Sequence, residues 1–199
     1  MVALVSCAVN KDRKWANVSI DKSLNTDWNI NYREKEDTNI VMGQEIYNQS
    51  KLKTSHVKYF KLVRKDKEHW IQDKSINNCQ VSIPKSDSLL IRIGYDFIGL
   101  GGSGFVINLK NRKFYVLPYE HSSCSSSMWP RPEYKIRIQE LVLDKPSYNI
   151  GDSLYGRVYF HITETRNYKK KYSMSPHKSK IEHYASGNFR AIVKDALYW

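Results

Sequence analysis

Between Tyr134 and Ile162 the chain alternates apolar and polar positions in two runs, Tyr134 to Val142 and Leu154 to Ile162, joined by a Pro-, Asn- and Gly-rich corner. A period of two puts successive side chains on opposite faces, so both runs predict strands. Phe105 to Leu109 and Phe114 to Val116 repeat the pattern on either side of Lys110–Lys113, a tight polar turn. His56 to Val63 and His69 to Gln72 flank the charged run Arg64 to Glu68 and read as a hairpin with a charged tip. Cys79 to Ile83 and Leu89 to Ile93 add two strands, with Pro84 closing the first because it lacks an N–H for the ladder. Leu24, Trp28, Ile30 and Tyr32, all at even positions, predict a strand over 24–33, whereas 40–53 predicts no clear element. Residues 119–132, with serines at 122, 123, 125, 126 and 127, read as an irregular loop, and Glu164 to Tyr184 as a long polar connection. Asn188 to Val193 is the last strand, expected to pair with Leu154 to Ile162. Many short strands and hardly a helix define an all-β chain, folded as an antiparallel sandwich or a partly open barrel.

Composition supports a folded core. Hydrophobic residues make up 41% and aromatics 13%, with 14 Tyr and 5 Trp, which suits rings packed across pleated sheets. Lys and Arg number 32 against 20 Asp and Glu, a formal net charge of +12 that fits an acidic partner. A Lys-, Asn-, Ile- and Tyr-rich composition is also what an AT-rich genome produces. No run of 18 apolar residues predicts a membrane-spanning helix.

Several short patterns bear on chemistry. Gly99-Leu100-Gly101-Gly102-Ser103-Gly104 fits the dinucleotide-binding G-x-G-x-x-G, but β-branched and aromatic residues follow where that motif needs a helix. With Val106 it also resembles the kinase glycine-rich loop; the following strand lacks the lysine, and no His-Arg-Asp or Asp-Phe-Gly follows. Gly101 to Phe105 misses the nucleophile elbow at its fifth position. The glycines are therefore expected to serve a strand connection or a close backbone approach. His121 and Cys124 are closely spaced, but only His177 and His183 offer a second pair, so no metal site and no cofactor are expected. Arg166 to Lys180 is basic without an acidic residue, with Arg166, Lys169, Lys170, Lys171, Lys178 and Lys180 as candidate contacts to an anionic partner. It reads equally as a solvated loop.

Two resemblances add to this. Leu4-Val5-Ser6-Cys7 resembles the lipobox of bacterial lipoproteins, which implies a lipid attached at Cys7 and residues 1–14 as a signal remnant and tether before a single all-β domain over 15–199. The alternative is a first strand with a buried Cys7. A lipidated Cys7 would leave Cys79 and Cys124 as a pair in an oxidising compartment, either bonded or as two free thiols. Asp144 to Leu154 is similar to the opening of macroglobulin-type and other bacterial immunoglobulin-like domains, which implies an immunoglobulin-like sandwich corner. There Pro146 stops a strand, Tyr148 covers the core, and Gly151-Asp152 turn the chain.

The expectation is a lipid-anchored, non-enzymatic protein of the bacterial cell envelope, in the periplasm or at the outer membrane, that binds a protein or polymer partner. An envelope immunity or inhibitor protein, acting through Ser122 to Pro132 or Arg166 to Lys180, is the alternative. A cytosolic basic nucleic-acid-binding module is a third reading, and nucleic acid is the least expected partner.

Overall fold

The computed structural model describes residues 15–25, 55–65, 67–73, 78–85, 87–97, 101–122, 132–168 and 177–196. They form eleven strands and one short 3₁₀ turn, Lys22–Asn25. The strands are β1 (Ala16–Asn17), β2 (Ser19–Ile20), β3 (Lys58–Lys65), β4 (Lys67–Asp73), β5 (Asn78–Lys85) and β6 (Ser88–Phe97). They continue with β7 (Gly101–Lys110), β8 (Lys113–Ser122), β9 (Glu133–Leu143), β10 (Ser153–Tyr168) and β11 (His177–Asp195). The protein is all-β, as its periodicity predicts.

The strands are hydrogen-bonded in the order β1-β8-β7-β6-β5-β11-β10-β9-β2, and β3 carries β4 beside β11. β11 is the spine. Its first half pairs with β3 and its last residues, Val193 to Asp195, run parallel to β5, while β10 lies antiparallel along its other edge from Leu154↔Ala191 to Tyr168↔His177. Asn188–Val193 and Leu154–Ile162 therefore belong to paired strands as expected, with Asn188–Ile192 against Ser153–Arg157, while Val158–Ile162 pair with His183–Gly187 and Val193 turns to β5. At the point where β11 leaves β3, Gly187 lets the backbone of His56 and Val57 approach: a Cβ there would lie 2.3 Å from the His56 carbonyl oxygen.

This path folds over on itself, so that β7 faces β10 and β3 across the core. Phe105 meets Phe160 edge-on with ring centroids 4.8 Å apart, and Tyr59 lies beside both. Those three rings, with Ile91, Ile107 and Phe189, are completely buried. The two ends of the path, β1 and β2, are separated only by Val18. β1 pairs with β8 and β2 runs parallel to β9, so a five-residue stretch ties the two together.

Between β8 and β9 side chains take over from the backbone ladder. The Gln139 amide accepts from the Val116 N–H at 3.1 Å and donates to the Phe114 carbonyl at 3.5 Å. The Tyr134 hydroxyl donates to the Pro118 carbonyl at 3.3 Å. Phe114, Val116 and Pro118, alternate residues of β8, are thus answered from β9, as in a strand pair. Burial, together with the nearby Glu164 carboxylate, pushes the Tyr134 hydroxyl well above the usual phenol range, so it stays a donor. Replacing Gln139 with Leu is expected to cost about 1–3 kcal/mol in urea unfolding, because it strands a backbone donor and an acceptor.

Local readings are mostly confirmed, with instructive departures. The 110–113 turn is centred on Asn111 and Arg112, both with positive φ (52° and 60°), which gives the turn twist that two-residue hairpins favour. β3 and β4 run straight through the charged tip, pairing as far as Lys65↔Lys67. Pro84 does not end β5; the register shifts between Ser82 and Lys85, and the ladder resumes at Lys85↔Ser88. Leu24 and Asn25 belong to the 3₁₀ turn instead of a strand, and 26–33 lies outside the described residues, as does 40–53.

The Asp144–Leu154 corner is held as its residue types suggest. Asp144, 2% exposed, accepts from the Tyr148 hydroxyl at 2.6 Å and the Tyr155 N–H at 2.9 Å, while the Lys145 N–H reaches Tyr148 at 3.1 Å. Gly151 takes φ 91°, open to glycine and strained for other residues. Tyr148 is half-buried against the core, and its hydroxyl is pushed far above the ordinary phenol range by burial and by Asp144.

Candidate functional site

The polar stretch Glu164–Tyr184 is not a long connection. β10 continues to Tyr168 and β11 begins at His177, which leaves only 169–176 between them. On the core face the even residues of β10 meet the odd residues of β11, so Glu164 and Arg166 enter the same space as Ile181 and His183. β3 brings Tyr59 and Lys61 to that face, β7 brings Ser103, and β8 brings Glu120.

Apart from Ile181, these side chains, seven in all, form one network. The Tyr59 hydroxyl lies 2.7 Å from His183 Nδ1, and His183 Nε2 lies 2.7 Å from Glu164 Oε2. Arg166 donates to Glu164 Oε1 and, through Nη2, to Glu120 Oε2 at 3.3 Å. Lys61 Nζ donates to Ser103 Oγ at 2.7 Å and pairs with Glu120 at 3.5 Å. One protonation pattern satisfies the inner part of this chain: Tyr59 donates to Nδ1, and a neutral imidazole donates from Nε2 to an ionised Glu164. Burial holds His183 below its ordinary value of 6.5; the Glu164 carboxylate opposes this, while Lys61 and Arg166 reinforce it. For Glu164, burial acts upward, but the bonds from His183 and Arg166 outweigh it and hold the carboxyl low.

A second network lies on the opposite face of the same hairpin. Glu182, 4% exposed, is held by His161 (2.9 Å), Thr163 (2.7 Å) and Lys180 (2.7 Å). Those bonds overcome burial and hold the Glu182 carboxyl down to about 2. A β-bulge at this level, where His161 faces Ile138 but Ile162 faces Ile136, leaves Arg137 as the extra residue, and its guanidinium donates to Thr163 at 3.3 Å. The Tyr184 ring stacks on His161 with centroids 4.2 Å apart.

All three shifts are depressions, so they act in one direction with pH. A depressed group supports the fold fully above its unfolded value and loses that support as pH falls toward its folded value. Stability is therefore expected to be flat above about pH 6.5, to decline below it as unfolded His183 takes a proton, and to fall further below about 4.5 as Glu164 and Glu182 contribute. Urea unfolding at stepped pH checks this, and in His183→Phe the decline between pH 6.5 and 4.5 is expected to flatten.

What can the inner network do? A serine 2.7 Å from a lysine has the spacing of a nucleophile and its base. Yet Ser103 is 4% exposed inside β7, and the Lys61 amine is engaged by the Glu120 carboxylate. With the serine buried, the network joins β3, β7, β8, β10 and β11 through charged side chains. Gly101, Gly102 and Gly104 beside it are residues of β7. Gly94 and Gly104 face each other across β6 and β7, and a Cβ on Gly104 would lie 2.3 Å from the Ile93 carbonyl oxygen. Close backbone approach, and not phosphate binding, accounts for them.

The residues singled out from sequence are scattered. Arg166 sits in the inner network and Lys180 in the outer one, each already paired with glutamate. Lys178 lies on β11 opposite Asn167, while Lys169, Lys170 and Lys171 lie outside the described residues. Cys7 and Cys124 also lie outside them; Cys79 is buried on β5, and burial pushes its thiol pKa far up. Among the described residues no three His, Cys, Asp or Glu side chains are grouped to hold a metal, and no helix is long and apolar enough to cross a membrane. Sequence reasoning missed Tyr59, Lys61, Ser103, Glu120, Glu164 and His183 as a set, because its members come from five strands.

One surface is also notable. The outer face of β9, β10, β11 and β3 carries Ile138 (46% exposed) diagonal to Tyr159 (41%), with Glu140 directly opposite Tyr159 and Arg137, Arg157 and Lys58 also exposed around them. Compared with known proteins, the chain matches no family model, no curated protein and no solved structure.

Proposed function

We propose that this chain is a lipid-anchored, non-enzymatic protein of the bacterial cell envelope that holds an acidic protein or polymer partner on the outer face of its sheet. The observation that carries the binding role is that face. Exposed Tyr159 and Ile138 sit among Arg137, Arg157 and Lys58, the mixture of aromatic, apolar and Arg side chains enriched where surfaces meet partners. A net charge of +12 favours an acidic partner. The anchoring role rests on Leu4-Val5-Ser6-Cys7. The non-enzymatic role is supported by the inner network, whose Ser103 hydroxyl and Lys61 amine are largely buried and engaged with each other and with Glu120.

Two measurements test the proposal. Intact mass and fractionation after expression in a bacterial host should give a lipid adduct on Cys7 and a membrane-bound protein, released by Cys7→Ala. An unmodified Cys7 on a soluble protein would remove the anchor. Retention on immobilised poly-glutamate at low salt should fall at least about tenfold in Arg137→Glu/Arg157→Glu/Tyr159→Ala, whose fold is checked by circular dichroism. Equal retention of the variant would remove the face as the binding surface.

A further inference from the structure

At the end of the body opposite the inner network, a half-open cavity of about 170 Å³ lies among the β1–β2 stretch, the β5–β6 and β7–β8 turns, and the corner after β9. Its walls are aliphatic. Leu89 and Leu143 form a buried base, and Val18, Ile20, Ile83 and Leu109 are only partly buried, with the rest of their surface turned to the space they line. Its polar lining is unequal in charge. Arg112 and Lys145 are cationic, and the single carboxylate, Asp87, is paired with Lys110 at 3.8 Å. Lys145 donates to the Ser153 carbonyl at 3.4 Å and lies 5.8 Å from the centre of the Tyr148 ring. Among the described residues the Arg112 guanidinium has no carboxylate beside it.

Arg112 is also held in place at a backbone cost. It occupies the second central position of the β7–β8 turn with φ 60°, where glycine is the favoured residue. Its carbonyl accepts the Val18 N–H at 2.9 Å, which fixes the turn against the β1–β2 stretch. A strained residue retained at the mouth of a cavity is where functional sites tend to store strain. An aliphatic space with an unanswered guanidinium at its rim fits an amphipathic anion, with tail inside and head outside. We infer that this cavity binds a short alkyl carboxylate, its chain against Ile20, Ile83, Leu89 and Leu109 and its carboxylate facing Arg112 and Lys145. This is independent of any partner on the outer sheet face.

The probes are butanoate, hexanoate and octanoate, titrated into the full chain and followed by amide and methyl chemical shifts. The expected result is saturable shifts at Val18, Ile20, Ile83 and Leu109, with affinity rising roughly threefold to fourfold per added methylene until the walls are filled. Arg112→Glu is expected to weaken octanoate at least about tenfold without changing the circular dichroism spectrum, and 1-octanol is expected to bind at least about tenfold more weakly than octanoate. Arg112→Lys, which keeps the charge, should retain most of the binding. Three outcomes would overturn the inference: no saturable shift at these residues, equal binding of octanoate and octylamine, or octanoate affinity unchanged in Arg112→Glu. Should Arg112→Glu unfold the chain, the octanoate–octylamine comparison on the wild type decides.

Discussion

Replacing Glu164 with Ala is expected to lower folding stability by about 3–5 kcal/mol, the usual consequence of removing one partner from a buried charged pair. The Glu164 side chain is 2% exposed and takes bonds from both His183 and Arg166. Its loss leaves an imidazole N–H without its acceptor in the core and takes the buried carboxylate away from the Arg166 guanidinium. Glu164→Gln keeps the shape and one acceptor, so a smaller loss, about 1–3 kcal/mol, is expected. The double variant Glu164→Leu/His183→Phe is the sharper probe. If the charges are only tolerated, swapping both for apolar groups should restore much of what the single variant loses. Urea unfolding at pH 7 measures all three, and a loss below about 1 kcal/mol in Glu164→Ala would show that the network contributes little.

Phe160→Ala is expected to cost a similar amount, about 3–5 kcal/mol, by a different mechanism. Its ring is fully buried between Phe105 and Tyr59, where the folded-over sheet closes on itself. Removing it leaves a cavity shared by β3, β7 and β10, which ordered backbones cannot collapse to fill. The neighbouring Tyr159→Ala, on the opposite face, is expected to change stability by less than about 0.5 kcal/mol, since surface substitutions rarely do more. One residue of displacement along β10 thus separates a large effect from almost none. Equal losses at 159 and 160 would contradict the register of this strand.

The two variants also mark how far local pattern reaches. Phe160 is legible as a core residue because Leu154, Gly156, Val158, Phe160 and Ile162 alternate with polar neighbours, a signal carried entirely within one strand. Glu164 continues that alternation on the same buried face. Its polarity nevertheless ended the reading of a strand, and Glu164–Tyr184 was expected to be a connection. The physical difference lies in what satisfies each residue. An apolar side chain needs only exclusion from water, whereas a buried carboxylate needs a particular donor. Here those donors are Arg166, two residues away, and His183, nineteen residues away across the hairpin. The first was visible as a neighbour; the second required the pairing of β10 with β11.

Sequence alone was sufficient for the all-β character, the turn at 110–113, the Asp144–Leu154 corner and the adjacency, though not the register, of the strands holding Leu154–Ile162 and Asn188–Val193. All rest on period-two alternation or on residues whose backbone preferences act within a few positions. Only the tertiary structure decided that the sheet folds over, that Gln139 and Tyr134 stand in for a missing ladder between β8 and β9, and that Arg166 and Lys180 answer glutamates within the chain. It also placed Arg112 beside an aliphatic cavity. Each of these depends on charges, donors or surfaces brought together from distant strands, and Coulomb and hydrogen-bond partners leave no periodic trace along a chain.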